Sequence, residues 1–245
     1  MIWRRSAAFN LWFFGVTLLF CVFWLPYVLL GTPREVTYAR RWARTALWGL
    51  RPICGISWQV SGLEHLPDEG PALLASMHQS AFDTLIWAAL APRFAYVVKQ
   101  ELFRVPLLGA IMRRAGMIAV DREAGAAALR ALLREADRAL AEHRQVVIFP
   151  EGTRVAPGQR VRLHPGVAAL AARMCVPVIP VVTDSGAYWG RRAFRKRPGV
   201  IRVAVLPPLP AGLARGELLS RLAEAFSTDL PDAVDKSVGA VSRRL

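Results

Sequence analysis

The chain has 245 residues, with 32 lysines and arginines against 18 aspartates and glutamates, which gives a formal net charge of +14. This length predicts one domain with an appendage, and such a domain can bury its core without disulfides. Three scattered cysteines, with no Cys-x-x-Cys pair, favour a reducing compartment and leave metal binding without support. The positive charge predicts an anionic partner, either nucleic acid or an acidic membrane surface.

The N-terminal segment distinguishes between these two partners. Residues 6–31 contain no charged side chain and exceed the ~20 residues that a membrane-spanning helix requires. No Ala-x-Ala cleavage site follows, so the pattern favours a retained membrane anchor over a removed signal peptide. A buried helix of a soluble protein is the alternative, and membrane insertion is the prediction.

The flanks of this apolar segment predict its placement. Arg4 and Arg5 precede it, whereas five arginines and one glutamate follow between residues 32 and 51. The positive-inside rule therefore places the following chain in the cytoplasm, and the expected membrane is a bacterial inner membrane. Residues 33–50 mix arginines with tryptophans, which predicts a helix in the headgroup layer. A spanning helix and a helix pair that dips into one leaflet both fit this pattern.

Beyond residue 56, short apolar runs alternate with helical patterns, which predicts an α/β domain. The clearest helix covers residues 124–143, where leucines recur at helical spacing opposite a row of arginines. Further helices are predicted over residues 165–174 and 213–226, and strands over 71–76, 94–98, 117–120, 145–149, 176–182 and 200–206. We therefore divide the chain into membrane-inserted and interfacial helices over residues 1–56 and a domain over residues 57–245 with a C-terminal helix.

The first predicted strand leads into a candidate base and its orienting carboxylate, His78 and Asp83. Five residues of a regular helix turn about 500°, which would leave the two side chains roughly 140° apart. They can meet only when His78 lies in the loop after the strand and Asp83 lies in the first turns of the next helix. Asp83 can then bond one imidazole nitrogen and leave the other free to remove a proton, as in a serine-protease triad without its protein nucleophile.

A second charged segment, Glu151-Gly152-Thr153-Arg154, follows the strand predicted over residues 145–149. Gly152 permits the sharp backbone turn needed for close approach to an anion. Arg154 can grip a phosphate with two parallel hydrogen bonds, and Glu151 is predicted to bond a hydroxyl or to position an arginine. An ordinary Glu–Arg ion pair on a surface turn is the alternative.

With two further segments, these motifs resemble those of the glycerolipid acyltransferases of the lysophosphatidic acid acyltransferase type. Four blocks stand in the family order, at residues 78–83, 116–122, 149–154 and 176–181. The resemblance implies an α/β fold with a mixed β-sheet flanked by helices, preceded by an N-terminal membrane-associated helical segment. It also implies that Arg122 and Lys99 bind the acceptor phosphate together with residues 151–154.

The resemblance further implies acyl transfer. His78 would deprotonate the sn-2 hydroxyl of lysophosphatidic acid as that oxygen attacks the thioester of acyl-CoA or acyl-carrier protein, giving phosphatidic acid, while Asp83 fixes the imidazole. No metal and no cofactor other than this co-substrate is expected. No acyl-enzyme is expected either, because Ser185 lies in Asp-Ser-Gly and not in the Gly-x-Ser-x-Gly elbow of a lipase. The alternatives are another lyso-lipid acceptor such as lyso-ornithine lipid, a membrane-bound lipid hydrolase and a non-catalytic basic membrane adaptor.

Six basic residues and no acidic residue lie between Arg191 and Arg202. This cluster predicts a solvated loop, a headgroup contact or a docking site for an acidic carrier protein. It lacks a recognisable nucleic-acid-binding motif. The expected partners are therefore membrane phospholipid and lysophospholipid, with an acyl-carrier protein as a further candidate and without nucleic acid.

Overall fold

A computed structural model describes residues 1–29, 35–91, 93–121, 125–228 and 230. The described part contains a seven-stranded mixed sheet with helices on both faces, which confirms the predicted fold class. The strands are β1 (Ile56–Ser61), β2 (Ala72–Ser76), β3 (Phe94–Lys99), β4 (Ile118–Val120), β5 (Gln145–Ile148), β6 (Val178–Thr183) and β7 (Gly199–Val205). The helices are α1 (Ile2–Leu29), α2 (Glu35–Trp48), α3 (Phe82–Leu90), α4 (Leu108–Arg114), α5 (Gly125–Ala141), α6 (Gly166–Met174), α7 (Ser185–Tyr188) and α8 (Arg215–Ala225).

The strands lie in the order β1-β7-β6-β2-β5-β3-β4. The five strands from β6 to β4 run parallel, whereas β7 runs antiparallel to β6 and parallel to β1. Every residue of β2, β5 and β6 is buried. Parallel strands covered on both faces are continuous apolar runs, and this is why the sequence reveals these three strands so clearly.

Alternate side chains of the central strands enter two separate cores. Leu74, Val147 and Ile179 pack on the face that carries α1, α2 and α3. Their neighbours Leu73 and Val146 pack on the opposite face, against α5, α6 and α8. This alternation is the two-residue period of an extended strand.

The N-terminal helices pack against the first of these cores. Phe9 of α1, Leu47 of α2 and Leu50 are fully buried in the same cluster as the sheet side chains. The Trp12 indole donates to the carbonyl of Thr45 at 3.3 Å, which links α1 to α2. The predicted boundary at residues 56 and 57 stays a prediction, and the helices before it share a core with the sheet after it.

One helix in the described part of the chain is long and apolar enough to cross a membrane, over Ile2–Trp24. Its Leu11, Phe14 and Leu18 are exposed. An exposed face of large apolar side chains supports the membrane association predicted from the sequence.

The predicted elements agree with the structure within about two residues at most ends, whereas β1, α4 and α7 were missed. β1 is a short edge strand with a mixed burial pattern, and α7 has only four residues. α4 follows Leu107, whose φ of +61° is not helical, and its seven residues are too few to show a clear helical pattern in the sequence. Position 124 and the tail from residue 231 onwards lie outside the described residues.

Candidate active site

The predicted site residues gather at one edge of the sheet, where the carboxyl ends of the parallel strands meet. His78 follows β2, residues 151–154 follow β5, and Lys99 is the last residue of β3. Ligands of open α/β sheets bind beyond the carboxyl ends of the strands. Arg122, predicted to bind phosphate, follows β4 and lies outside the described residues.

His78 and Asp83 are in contact. His78 lies in the loop between β2 and α3, and Asp83 is the second residue of α3, which confirms the predicted placement of both residues. The Nδ1 atom of His78 is 3.2 Å from Oδ2 of Asp83. Asp83 is only 2% exposed, whereas 14% of the imidazole surface is accessible. With Nδ1 engaged, Nε2 is the nitrogen available for proton transfer.

The loop backbone holds the carboxylate of Asp83 in place. The backbone N–H groups of Gln79 and Ser80 both donate to Oδ2 at 2.7 Å. A carboxylate in the first turn of a helix is also stabilised by the helix dipole. Asp83 therefore keeps a fixed orientation and can fix that of the imidazole.

Ser185 is a further ligand of this carboxylate. Its hydroxyl, fully buried at the start of α7, donates to Oδ1 of Asp83 at 2.6 Å. The Asp-Ser-Gly context argues against Ser185 as a nucleophile, and in the structure this residue donates a hydrogen bond to the orienting carboxylate. No local pattern could have revealed the contact, because 102 residues separate the partners.

An aromatic ring supports the imidazole from one side. The ring of Phe149, in the third motif block, stacks on the ring of His78 with centroids 4.1 Å apart and 23° between their planes. Tyr96 lies parallel to Phe149 at 6.2 Å. The sequence placed Phe149 in a predicted strand and assigned it no role at the site, although its position in the motif was a usable signal.

The side chain of Glu151 ties the third block to the first. Its carboxyl group accepts the backbone N–H of His78, and the backbone N–H of Val155 donates to the carbonyl of His78 at 2.7 Å. The sequence predicted a hydroxyl or an arginine as the partner of Glu151, and in the structure the partner is the main chain of His78. Glu151 is buried, so its carboxyl group contacts this loop and not solvent.

Burial raises the pKa of Glu151 from 4.5 to about 8, and the charge of Asp83 adds to this shift while the hydrogen bond from His78 opposes it. At pH 7 the carboxyl is therefore mostly neutral. Two carboxyl groups flank the loop of His78, and only Asp83 then carries the negative charge that can stabilise an imidazolium.

The turn after Glu151 brings a cation to the same edge. Gly152 has a φ of +69°, in the left-handed region that glycine adopts without strain, so the predicted sharp turn is present. Thr153 is exposed and Arg154 is half-buried. Burial lowers the pKa of Arg154, and the charge of Asp83 opposes this while Arg191 and Arg192 reinforce it.

Lys99 lies at the same edge of the sheet but contacts another residue. Its ammonium group is exposed and pairs with Glu101 at 2.9 Å. Its predicted contact with phosphate stays a prediction. Among the described residues, no group of three or more His, Cys, Asp or Glu side chains could hold a metal ion.

An apolar cavity of about 210 Å³ lies behind the site, between the N-terminal helices and the sheet. Thr84, the neighbour of Asp83, and Tyr96 are among the residues that line it. Phe20 and Trp42 line it from α1 and α2, and Met112 lines it from α4. The wall is almost entirely hydrocarbon and aromatic.

The family profile described as acyltransferase matches residues 57–184, which contain His78, Asp83 and residues 151–154. The chain belongs to the acyltransferase family. A 1-acyl-sn-glycerol-3-phosphate acyltransferase of Pseudomonas aeruginosa is 36% identical over 172 residues, covering 70% of this acyltransferase and 66% of the relative. The human alpha form of an enzyme with the same name is 31% identical over 169 residues, covering 68% of this acyltransferase and 60% of the human relative. The match thus spans less than two thirds of each relative.

A solved structure shows the same fold. The crystal structure of the 1-acyl-sn-glycerophosphate (LPA) acyltransferase from Thermotoga maritima aligns with a TM-score of 0.73, covering 92% of this acyltransferase and 95% of that chain. The two sequences are 22% identical, so this likeness establishes the architecture alone.

Proposed function

We propose that this acyltransferase moves a fatty acyl group from a thioester donor, acyl-CoA or acyl-carrier protein, to the sn-2 hydroxyl of lysophosphatidic acid, giving phosphatidic acid. The main support for this proposal is the imidazole of His78, which Asp83 holds through Nδ1 and which is accessible to solvent. The names of the curated relatives support the same acceptor.

In the proposed reaction, Nε2 of His78 takes the proton of the acceptor hydroxyl as the oxygen attacks the thioester carbonyl. The resulting tetrahedral oxyanion collapses, the carbon–sulfur bond breaks, and the imidazolium returns the proton to the departing thiolate. Asp83 stabilises the imidazolium through its charge, while the stack on Phe149 limits ring rotation. Positioned base catalysis of this kind contributes roughly 10²–10⁴-fold to the rate.

Arg154 is the proposed ligand of the acceptor phosphate. It lies near enough to Asp83 for their charges to interact, and a guanidinium can hold phosphate with paired hydrogen bonds. Lys99 and Arg122 are proposed to add positive charge from the ends of β3 and β4. The cavity of about 210 Å³ offers an apolar space for hydrocarbon next to the helix of Asp83.

We also propose that α1 enters one leaflet of the membrane without crossing it. One side of α1 is occupied by the domain, because Phe9, Val16 and Trp24 are buried, while the other side exposes large apolar side chains. A helix held this way fits the interfacial mode of membrane binding. The arginines after α1 support a cytoplasmic face, and a bacterial inner membrane is the proposed location.

The deciding experiment supplies purified enzyme with acyl-CoA or acyl-carrier protein, and separately with lysophosphatidic acid, lysophosphatidylcholine, lyso-ornithine lipid or no acceptor. Mass spectrometry of the lipids should find phosphatidic acid only with lysophosphatidic acid. Turnover of lyso-ornithine lipid alone would replace the acceptor, and free fatty acid without lipid product would indicate a hydrolase. Folded His78→Ala should lose turnover by several orders of magnitude, and full activity in this variant would remove the proposed base.

Arg154→Ala tests the phosphate contact. Loss of a charged hydrogen bond to the acceptor should raise the KM for lysophosphatidic acid with a smaller change in kcat. Arg134→Ala on α5 is the matched control, because it removes an exposed arginine on the opposite face of the sheet. An unchanged KM in Arg154→Ala would exclude this residue from the acceptor site.

A further inference from the structure

The loop of residues 190–197, here named the basic loop, joins the candidate active site to the start of α1. It connects α7 to β7. At its first end, the Arg191 guanidinium lies 3.5 Å from the carbonyl oxygen of Arg154. Further along, the Phe194 ring stacks on the ring of Trp3 with centroids 5.5 Å apart. The basic loop thus borders both Arg154, the proposed ligand of the acceptor phosphate, and the N-terminal helix α1.

A buried lysine fastens the basic loop to α1. Lys196 is 3% exposed, and its ammonium group donates to Oδ1 of Asn10 and to the carbonyl of Phe194. Its backbone N–H donates to the hydroxyl of Ser6 at 2.9 Å. The ammonium also lies 5.4 Å from the ring centre of Trp189. Burying a charge is costly unless it is bonded on several sides, so this set of partners fixes the loop and the helix as one unit.

The outer surface of this unit combines positive charge with exposed aromatic rings. Trp3 is 59% exposed and Phe194 is 45% exposed, and the Arg195 guanidinium lies 5.5 Å over the Trp3 ring. Four exposed arginines belong to the basic loop, which contains no acidic residue: Arg191, Arg192, Arg195 and Arg197. Arginines beside indole and phenyl rings match the chemistry of the layer between headgroups and acyl chains.

This surface is continuous with the apolar face of α1. At 100° per residue, Trp3, Leu11, Phe14 and Leu18 lie within about 80° of one another around the helix. All four are exposed. A bilayer that receives the leucines and Phe14 therefore also meets Trp3 and, through the stacked ring, Phe194 and the arginines of the basic loop.

We propose that the basic loop, together with Trp3, is a contact surface for anionic lipid headgroups, and that it holds the bilayer surface next to Arg154. An acidic carrier protein would match the charge, but it would leave the adjoining apolar face of α1 unexplained. A lipid surface accounts for both the positive charge of the basic loop and the exposed apolar face of α1. This goes beyond acyl transfer itself, because it assigns a lipid-binding surface outside the groups that take part in the reaction.

The test measures flotation of the full chain with vesicles of phosphatidylcholine, alone or with phosphatidylglycerol replacing part of it. Arg195→Gln with Arg197→Gln should lower partitioning to the anionic vesicles about fivefold for each arginine, because one basic residue near such a surface contributes about that factor. Partitioning to the neutral vesicles should change little. The matched control removes the same charge from α5, with Arg130→Gln and Arg134→Gln, and should behave like the wild type.

Equal partitioning of the loop variant and the wild type on anionic vesicles would overturn the proposal. An equal loss of partitioning to anionic and to neutral vesicles in the loop variant would also overturn it. If the loop variant binds vesicles normally and loses only the reaction with acyl-carrier protein, the surface belongs to the carrier instead. If the double variant fails to fold, the single variants Arg195→Gln and Arg197→Gln take its place. Phe194→Ser should weaken binding to both kinds of vesicle. Because flotation needs no turnover, failure here leaves the proposed reaction untouched.

Discussion

Four groups donate hydrogen bonds to the carboxylate of Asp83: Nδ1 of His78, the backbone N–H groups of Gln79 and Ser80, and the hydroxyl of Ser185. The first three come from the same short segment, and the sequence motif contains all of them. The fourth comes from the start of α7, two residues after β6, which is parallel to β2 and adjacent to it. The residue pair that the motif predicts is therefore completed by a neighbouring strand.

Ser185→Ala should lower kcat about tenfold and leave the KM for the acceptor nearly unchanged. A hydrogen bond to a charged group is worth about 1.5–3 kcal/mol, and here its loss leaves Asp83 held through Oδ2 alone, so that the imidazole is positioned less firmly. Steady-state kinetics with varied acceptor measures both constants. Ser76→Ala is the control, because Ser76 is equally buried but bonds Met77 and Trp87. Ser185→Thr should restore part of the rate; an unaltered kcat in Ser185→Ala would make the contact structural only.

Glu151→Gln should change how stability depends on pH. Between about 4.5 and about 8 the folded protein holds a proton on Glu151 that the unfolded chain releases. The free energy of unfolding of the wild type therefore loses about 1.4 kcal/mol per pH unit as pH rises through this window. The glutamine cannot ionise and still accepts the N–H of His78. In thermal melts, the stability of Glu151→Gln relative to the wild type should rise across this window, whereas the exposed Glu135→Gln should follow the wild type. If the curves of Glu151→Gln and the wild type ran parallel, Glu151 would be ionised in the folded protein.

At the scale of elements, two of the sequence motif blocks turn out to build structure around the site. The fourth block contributes most of β6, which is completely buried and leads directly to Ser185 at the start of α7. In the second block, Gly116 has a φ of +66°, and a Cβ there would lie 1.8 Å from the Arg144 guanidinium. That guanidinium is buried and donates to the carbonyls of Phe94 and Gly116, which ties β3 to the turn before β4.

The packing of α1 against α2 depends on a glycine. A Cβ at Gly49 would lie 2.3 Å from Nε1 of Trp12, so the indole would have to leave its bond to Thr45. Gly49→Ala should therefore destabilise the protein by about 1–3 kcal/mol, the usual cost of overpacking. Gly15→Ala in α1 is the control, because a Cβ there meets nothing within 4 Å and alanine favours a helix. Denaturant unfolding in detergent measures both, and equal stability of the two variants would contradict this account of the helix contact.

At the scale of the whole molecule, the N-terminal helix is both an apolar membrane segment and part of the protein core. Phe9 is fully buried against Trp189 of the domain, while Leu11, two residues further, is exposed. A lone helix that crosses a bilayer has lipid on all sides, whereas one side of α1 is covered by the domain. This packing is why the dipping orientation, which the sequence left beside the spanning one, is the one proposed.

This orientation predicts that the N-terminus and the domain face the same side of the membrane. The native Cys21, Cys54 and Cys175 are first replaced by alanine, and one cysteine is introduced by Ile2→Cys or by Arg221→Cys on α8. In sealed vesicles with the domain outside, a membrane-impermeant maleimide should label both variants equally. Labelling of Ile2→Cys only after permeabilisation would mean that α1 spans the bilayer.

The sequence by itself determined the α/β class, most strand and helix positions, the membrane affinity of the N-terminus and the His78–Asp83 pair. These depend on periodicity, charge and spacing within short segments, which a linear chain displays directly. Only the tertiary structure decided that Ser185 bonds Asp83, that Glu151 holds the backbone of His78, and that α1 has a protein-covered side. The physical reason is that parallel strands far apart in the chain bring their ends together at one edge of the sheet, and no local pattern records which distant side chains meet there.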